Sequence, residues 1–192
     1  ILTAIFTSIF GGVNTLWDRR YGFMNKALTS PISRSAIALG KMSAISLIAA
    51  LQASLIIGIA LAIGVTFPNP LMIIPIMGIV ILFSLGFSGI SVTLAATAKS
   101  QETFWGMINL LGMPLFMLSP ALFPLELLPN WLAVVAKLNP VTYTVLLVRE
   151  LMTGVSEGGV PILISIAVIF AFVVAMVAIA SYVFTREVNK PF

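Results

Sequence analysis

The chemically richest stretch of the sequence is residues 18–34, which contains four of the ten basic side chains and one of the six acidic ones. We predict a helix that Asp18 caps at its start and Pro31 stops, and we expect Ser35 to cap the next helix. Cationic and apolar side chains on one short helix suit either lipid headgroups or a groove on another protein, and the residues alone favour neither. The apolar face of this helix would consist of Tyr21, Met24, Ala27 and Leu28.

Catalytic and metal-binding chemistry has almost no residues to use in this chain. The 192 residues include no Cys and no His, which removes thiol nucleophiles, histidine general bases and disulfides. Gly40-Lys41 is the nearest approach to a phosphate-binding loop, but Met42 stands where that loop needs Ser or Thr, and Ser35 stands where it needs Gly. We therefore predict a protein that is not an enzyme, has no catalytic residue, and itself binds no cofactor, metal or ATP.

The composition predicts an all-α membrane protein. Hydrophobic residues make up 60% of the chain and charged residues 8%, whereas soluble domains are about half apolar and about a quarter charged. Apolar runs without strand-like alternation indicate helices, each of which needs about 20 residues to cross a bilayer. We expect residues 1–192 to form a single polytopic helical bundle. Its predicted spans are 1–17, 35–66, 71–98, 103–123 and 160–185, with a loop segment at 18–34 and an external segment at 124–159.

Charge placement predicts how these five spans are oriented. If they alternate, eight basic residues lie on one side of the membrane and only Lys137 and Arg149 on the other. We therefore expect a multi-pass protein of the cell membrane. Because cytoplasmic loops are enriched in Lys and Arg, we expect residues 18–34 and the C-terminus to lie on its cytoplasmic side. The same rule explains the net charge of +4 without a nucleic acid partner. The start at Ile1 within an apolar run suggests a fragment lacking a cytoplasmic N-terminus and the first of six spans, with a cleaved signal peptide as the alternative.

The external segment is too polar and too rich in proline for a simple span. We expect two short helices that dip into the outer leaflet and meet near Asn139 and Pro140, with Gly154 ending the second. An interfacial loop anchored by Trp131 and Tyr143 is the alternative. For Arg149 three arrangements stay open: a pair with Glu150, a pair with Glu126, or a side chain that reaches toward the headgroups.

Polar side chains within the predicted spans are few. None is charged at mid-depth, which argues against a proton-coupled carrier. We expect Gln52 and Asn109 to form hydrogen bonds between helices rather than to contact a substrate. We also expect the small residues Ser54, Gly58 and Ala62 to let two helices approach closely.

Two stretches of the sequence resemble the permease subunits of type-2 ABC exporters. The first has Gly-Phe at 22–23, Pro-x-Ser-Arg at 31–34 and Leu-Gly-Lys at 39–41. The second runs from Phe-Pro at 123–124 through Pro-x-Trp at 129–131 to Asn-Pro-x-Thr-Tyr at 139–143 and a following Arg149. Both lie in the expected order between the predicted spans, so the resemblance covers most of the chain.

The resemblance implies the membrane-spanning subunit of an ATP-driven exporter of drugs, lipids or glycans. In this family the loop segment is a coupling helix seated on a separate ABC ATP-binding subunit, which carries ATP and Mg. Two permeases of six spans each, identical or sister subunits, form the pathway. The implied docking residues are Asp18, Arg19, Arg20, Tyr21, Gly22, Phe23, Met24, Lys26 and Leu28. The implied external gate residues are Phe123, Pro124, Pro129, Trp131, Asn139, Pro140, Tyr143 and Arg149.

Two other functions fit a chain of this composition. A gradient-driven channel or carrier would need polar or charged residues along its pore, and these are scarce here. A membrane scaffold that transports nothing would need only the helices and the loop segment.

Overall fold

The computed structural model describes residues 1–65, 68–121, 129–155 and 159–187. All regular structure in these ranges is helical, which confirms the predicted all-α class. The elements are α1 (Leu2–Phe10), α2 (Val13–Arg20), α3 (Phe23–Leu28), α4 (Arg34–Ala62), a 3₁₀ turn (Pro70–Met72), α5 (Ile73–Thr97), α6 (Gln101–Met117), α7 (Asn130–Lys137), α8 (Pro140–Thr153) and α9 (Ile162–Glu187).

Three of these helices are long and apolar enough to cross a membrane: α4, α9, and α5 together with the 3₁₀ turn before it. They match the predicted spans 35–66, 160–185 and 71–98, although the ends are displaced by up to four residues. The short helices α7 and α8 meet at 87° and would count as a fourth, broken span. In place of the predicted span 1–17 the chain forms α1 and α2, and in place of 103–123 it forms the 17-residue α6.

The central helix of the bundle is α5, which contacts α1, α2, α4, α6, α8 and α9. Its Phe83 and Phe87 have ring centroids 4.5 Å apart, and Phe87 also contacts Phe172 of α9 at 5.5 Å. Close contacts of this kind hold membrane helices together because lipid tails are as apolar as the side chains, so burial alone gives little attraction. The same core contains Ile5, Ile9, Leu16, Phe104 and Ile108.

Small residues permit this packing at positions other than those expected. A Cβ added at Gly12 would lie 2.5 Å from the carbonyl oxygen of Ser91, so only glycine lets the start of α2 come this close to α5. A Cβ at Gly58 would meet nothing within 4 Å among the described residues, and Ser54 and Ala62 are exposed. Outside α4, Ser54 contacts only the end of a long side chain, the sulfur of Met77 of α5 at 4.0 Å, so the expected close approach of two helices is not found at 54–62 among the described residues.

The two amides predicted within the spans lie in different surroundings. Gln52 of α4 accepts a hydrogen bond from the hydroxyl of Thr7 of α1, which confirms the expected contact between helices. Asn109 of α6 lines an apolar cavity of about 100 Å³ beside Phe6 and Phe116. Its surroundings are therefore those of a cavity wall rather than of a closed helix–helix contact.

Candidate functional site

The loop segment 18–34 lies at the end of the bundle where α2 and α9 finish and α4 begins, which we call the basic end. The expected single helix from Asp18 is wrong, because α2 continues to Arg20 and the chain then turns at Gly22 with a φ of +78°. This left-handed conformation suits glycine and separates α2 from the six-residue α3. The expected cap at Ser35 is also wrong: the Ser33 hydroxyl accepts from the Ala36 N–H at 3.3 Å.

Asp18 connects α2 to α4 instead of capping a helix. Its carboxylate forms a salt bridge with the ammonium group of Lys41, 23 residues further along the chain. The Lys41 side chain is 20% exposed and that of Asp18 39% exposed, so solvent screens the pair only in part. The contact fixes the end of α2 beside the first turns of α4.

Arg19 connects α2 to the central helix and to α9. Its Nη1 donates hydrogen bonds to the carbonyl oxygens of Ala95, at 3.1 Å, and Ala96, at 2.5 Å. These carbonyls lie in the last turn of α5, where they have no partner within the helix and where the helix dipole favours a cation. Glu187 of α9 also acts electrostatically on the Arg19 guanidinium. Arg19 therefore joins the end of α2 to the end of α5, and its charge attracts that of Glu187 in α9.

The side chains beyond this point divide between the surface and the core. Tyr21 is 70% exposed and Phe23 62% exposed, and the Nζ of Lys26 lies 5.8 Å from the centroid of the Phe23 ring. Met24, by contrast, is 3% exposed. It is buried in a cluster with Ala38, Met42, Ala180 and Phe184 of α4 and α9.

The turn at Gly22 explains why the predicted apolar face is wrong. Tyr21 and Met24 would share a face only on one continuous helix, and here they belong to different segments. Of the predicted docking residues, Asp18, Arg19 and Met24 are held by contacts within the chain, whereas Arg20, Tyr21, Phe23 and Lys26 are exposed. Leu28 ends α3, and its side chain lies outside the described part of the structure.

At the opposite end of the bundle, Asn139 joins α8 to α6. Its Nδ2 donates to the carbonyl oxygen of Leu115 at 2.6 Å, and its Oδ1 accepts from the Val141 N–H at 3.0 Å. Asn139 therefore caps α8 and also satisfies a carbonyl near the end of α6. With an exposed fraction of only 4%, the side chain makes both hydrogen bonds in a buried setting.

The bend between α7 and α8 is held by two further side chains. Thr142 donates from its hydroxyl to the carbonyl of Ala136 at 2.6 Å, and Tyr143 donates to the carbonyl of Lys137 at 2.8 Å. Both carbonyls are at the end of α7, where helical partners run out. Two short helices are thus confirmed for the described part of the external segment. Thr142 was not among the predicted gate residues, although its position two residues after Asn139-Pro140 could have indicated a role at this bend.

Arg149 makes a contact that none of the three expected arrangements included. Its Nη2 donates to the carbonyl oxygen of Pro120 at 3.0 Å, so α8 is fastened a second time to the chain that follows α6. Gly154 ends α8 with a φ of 73°, as expected. Pro129 and Trp131 are exposed, and Pro140 is the first residue of α8. Phe123, Pro124 and Glu126 lie outside the described residues.

At both ends of the bundle the described polar side chains connect one helix to another. Four side chains, Asp18, Arg19, Asn139 and Arg149, bind helix ends or an opposite charge. In the described ranges no three residues of the types His, Cys, Asp and Glu come close enough together to hold a metal ion. The arrangement ties the ends of helices to one another at both ends of the bundle.

Comparison with known proteins identifies a matching protein family and similar proteins. Residues 1–153 match the family model described as ABC-2 type transporter. The chain is 30% identical over 152 residues to the transport permease ycf38 of Cyanophora paradoxa, a match that covers 77% of this chain and 52% of the relative. It is 31% identical over 159 residues to ycf38 of Pyropia yezoensis, covering 79% of this chain and 54% of the relative.

A more distant relative comes from a bacterium. The protein named probable multidrug ABC transporter permease YbhR, of Escherichia coli strain K12, is 22% identical over 144 residues, which covers 74% of this chain and 39% of the relative. The chain therefore spans about half of the ycf38 relatives' length and less of this one.

Proposed function

The chain belongs to the ABC-2 type transporter family, and from this premise we propose that it is the membrane-spanning subunit of an ATP-driven exporter. A separate ABC ATP-binding subunit, which carries ATP and Mg, docks on residues 18–30. The observation that carries the proposal is the division of the loop segment. Tyr21 and Phe23 project from a turn whose two flanks are fastened to the bundle by Arg19 and Met24.

This division suits a protein groove better than a lipid surface. A helix that lies on headgroups presents a continuous apolar stripe to the lipid. Here the turn at Gly22 interrupts the helix, with the exposed rings of Tyr21 and Phe23 on its two sides. Met24 is buried, so the exposed apolar residues of the described segment, which include Ile32, belong to no single helical stripe. Aromatic side chains flanked by Arg20 and Lys26 are typical anchors in a partner's pocket, with the cations setting orientation and salt sensitivity.

The contacts at the basic end supply a path for the motion. When nucleotide closes the ATP-binding subunits, the knob moves with them, and Asp18 and Arg19 carry α4, α5 and α9 along. Since α5 contacts most of the bundle, the displacement reaches the opposite end, where Asn139 and Arg149 fasten α8 to α6. Such a mechanism needs two discrete arrangements whose populations the partner shifts.

The proposal includes the orientation in the membrane. We infer five crossings, formed by α1 with α2, by α4, by α5, by α6 and by α9, with α7 and α8 as a bent pair in the outer leaflet. The basic end faces the cytoplasm and the C-terminus lies there, because eight of the ten basic residues would then be cytoplasmic. The membrane is the cell membrane, and a second copy or a sister permease completes the pathway.

The cargo belongs to the drug, lipid or glycan class. The relative from Escherichia coli is named a probable multidrug ABC transporter permease, which favours the drug class among these. The cavity between α1 and α6, lined by Phe6, Phe10, Met113 and Phe116, offers apolar and adaptable side chains to such a cargo.

Site-specific photocrosslinking in the full-length permease tests the docking. A photoreactive phenylalanine analogue at Tyr21 or Phe23 should capture a nucleotide-hydrolysing protein from intact membranes. The same analogue at Trp131, which is 69% exposed at the opposite end, should not. Failure of both basic-end positions to capture an ATPase would rule out the docking, and so would labelling of residue 21 by a reagent that reaches only the outer face of the cell.

A further inference from the structure

A polar cavity of about 340 Å³ opens at the basic end, between α2 and the turn that leads from α5 into α6. This volume is within the range of roughly 300–1,000 Å³ that is usual for small-molecule sites. We call it the basic pocket. The residues of its wall that matter here are Leu16, Trp17, Arg19, Arg20, Lys99 and Glu102.

The charges of the basic pocket favour an anionic ligand. Three cations line it. Since Arg19 already donates to the carbonyls at the end of α5, the ligand contacts are assigned to Arg20 and Lys99, both of which are exposed. Glu102 is exposed and adds a negative charge to the wall of the pocket, so it disfavours a ligand with several negative charges.

The position of the basic pocket favours a ligand that is anionic at one end and apolar at the other. Trp17 is 42% exposed and lines the pocket together with Leu16 and the cations. Indole rings prefer the depth of the lipid headgroups.

We propose that the basic pocket binds the phosphodiester headgroup of an anionic phospholipid. Arg20 and Lys99 contact the phosphate, while Trp17 packs against the glycerol and the first acyl carbons. Such a lipid would bridge α2 and the start of α6, two elements that otherwise share few contacts. This inference concerns a structural lipid, and it holds whatever cargo the protein exports.

Thermal unfolding of the purified full-length permease tests the proposal. Adding phosphatidylglycerol should raise the unfolding midpoint by about 5 °C at a lipid concentration near 100 times the dissociation constant, whereas phosphatidylcholine should not. The double variant Arg20→Gln, Lys99→Gln should weaken the response to phosphatidylglycerol at least tenfold in lipid concentration. A Lys99→Arg variant should keep it.

The matched control is the double variant Lys26→Gln, Arg34→Gln. It removes the same charge from the same end of the bundle, but neither residue lines the pocket. An equal loss of response in this control would overturn the proposal in favour of general surface attraction. Equal stabilisation by soluble glycerol 3-phosphate would overturn the lipid assignment, and so would loss of ATPase capture with an unchanged lipid response in the pocket variant.

Discussion

The carboxylate of Asp18 forms a salt bridge with Lys41, and this pair joins the end of α2 to the start of α4 at the point where the chain leaves the bundle for the exposed turn. The aromatic knob at Tyr21 and Phe23 is therefore only a few residues from a charged fastening. In the proposed mechanism this salt bridge transmits a displacement of the knob to α4.

Breaking this salt bridge should uncouple the partner without removing it. In the Asp18→Asn variant we expect little change in thermal stability, because a partly exposed pair contributes about 1 kcal/mol or less. Capture of the ATP-binding subunit should persist, whereas transport should fall by about fivefold, the factor that corresponds to roughly 1 kcal/mol. The charge reversal Asp18→Lys with Lys41→Asp should restore transport. Equal transport by Asp18→Asn and the unmodified protein would remove the pair from the mechanism.

The turn at Gly22 should be destabilised by residues that avoid the left-handed conformation, such as alanine. With a φ of +78° and nothing within 4 Å of an added Cβ, the cost of Gly22→Ala is one of backbone conformation alone, about 1 to 2 kcal/mol. The matched control is Gly40→Ala, at an open helical position of α4, which should be neutral or stabilising. Thermal unfolding compares the two variants. A Gly22→Ala protein as stable as Gly40→Ala would contradict the left-handed turn.

Two adjacent substitutions should separate docking from folding. Phe23→Asp alters an exposed ring, so the protein should reach the membrane and unfold at its normal temperature but fail to capture the ATP-binding subunit. Met24→Asp places a carboxylate in the cluster with Met42 and Phe184, where an unpaired charge costs several kcal/mol, and the protein should be unstable. Size-exclusion profiles with co-purification measure both effects. Normal partner capture by Phe23→Asp would count heavily against the docking residues.

Replacing Asn139, at the end of the bundle opposite the basic end, should lower the stability of the protein. The Asn139→Ala variant leaves the Leu115 carbonyl without its donor and removes the cap of α8, for a loss of about 1 to 3 kcal/mol in stability. The Asn69→Ala control removes only a local hydrogen bond to the Leu71 N–H and should lose about 1 kcal/mol or less. Thermal unfolding would contradict the proposed fastening if the two losses were equal.

Signals that act over a few residues were readable in the sequence. Long apolar runs located α4, α5 and α9, since crossing a bilayer demands about 20 apolar residues in a row. Asn139-Pro140 and Gly154 marked the start and end of α8 because their preferences for capping and left-handed backbone are intrinsic. The family resemblance, which rested on such short motifs, is confirmed.

Contacts between distant residues were not readable in the same way. The loop segment was predicted as one amphipathic helix because its apolar spacing fits a period of 3.6, and nothing local showed that Gly22 would take a positive φ. Nor did the sequence associate Arg149 with the Pro120 carbonyl. Every residue has the same backbone carbonyl group, so the sequence does not show which carbonyl will accept a hydrogen bond.

By itself, then, the sequence determined the class of the protein, the places where long helices run, and the stretch where charge and aromatic rings gather, because composition and spacing are properties of the chain alone. Only the tertiary structure decided that Asp18, Arg19 and Met24 hold the bundle together while Tyr21 and Phe23 face outward. The physical reason is that the direction of a side chain depends on which helix end, opposite charge or core cluster the fold brings within reach.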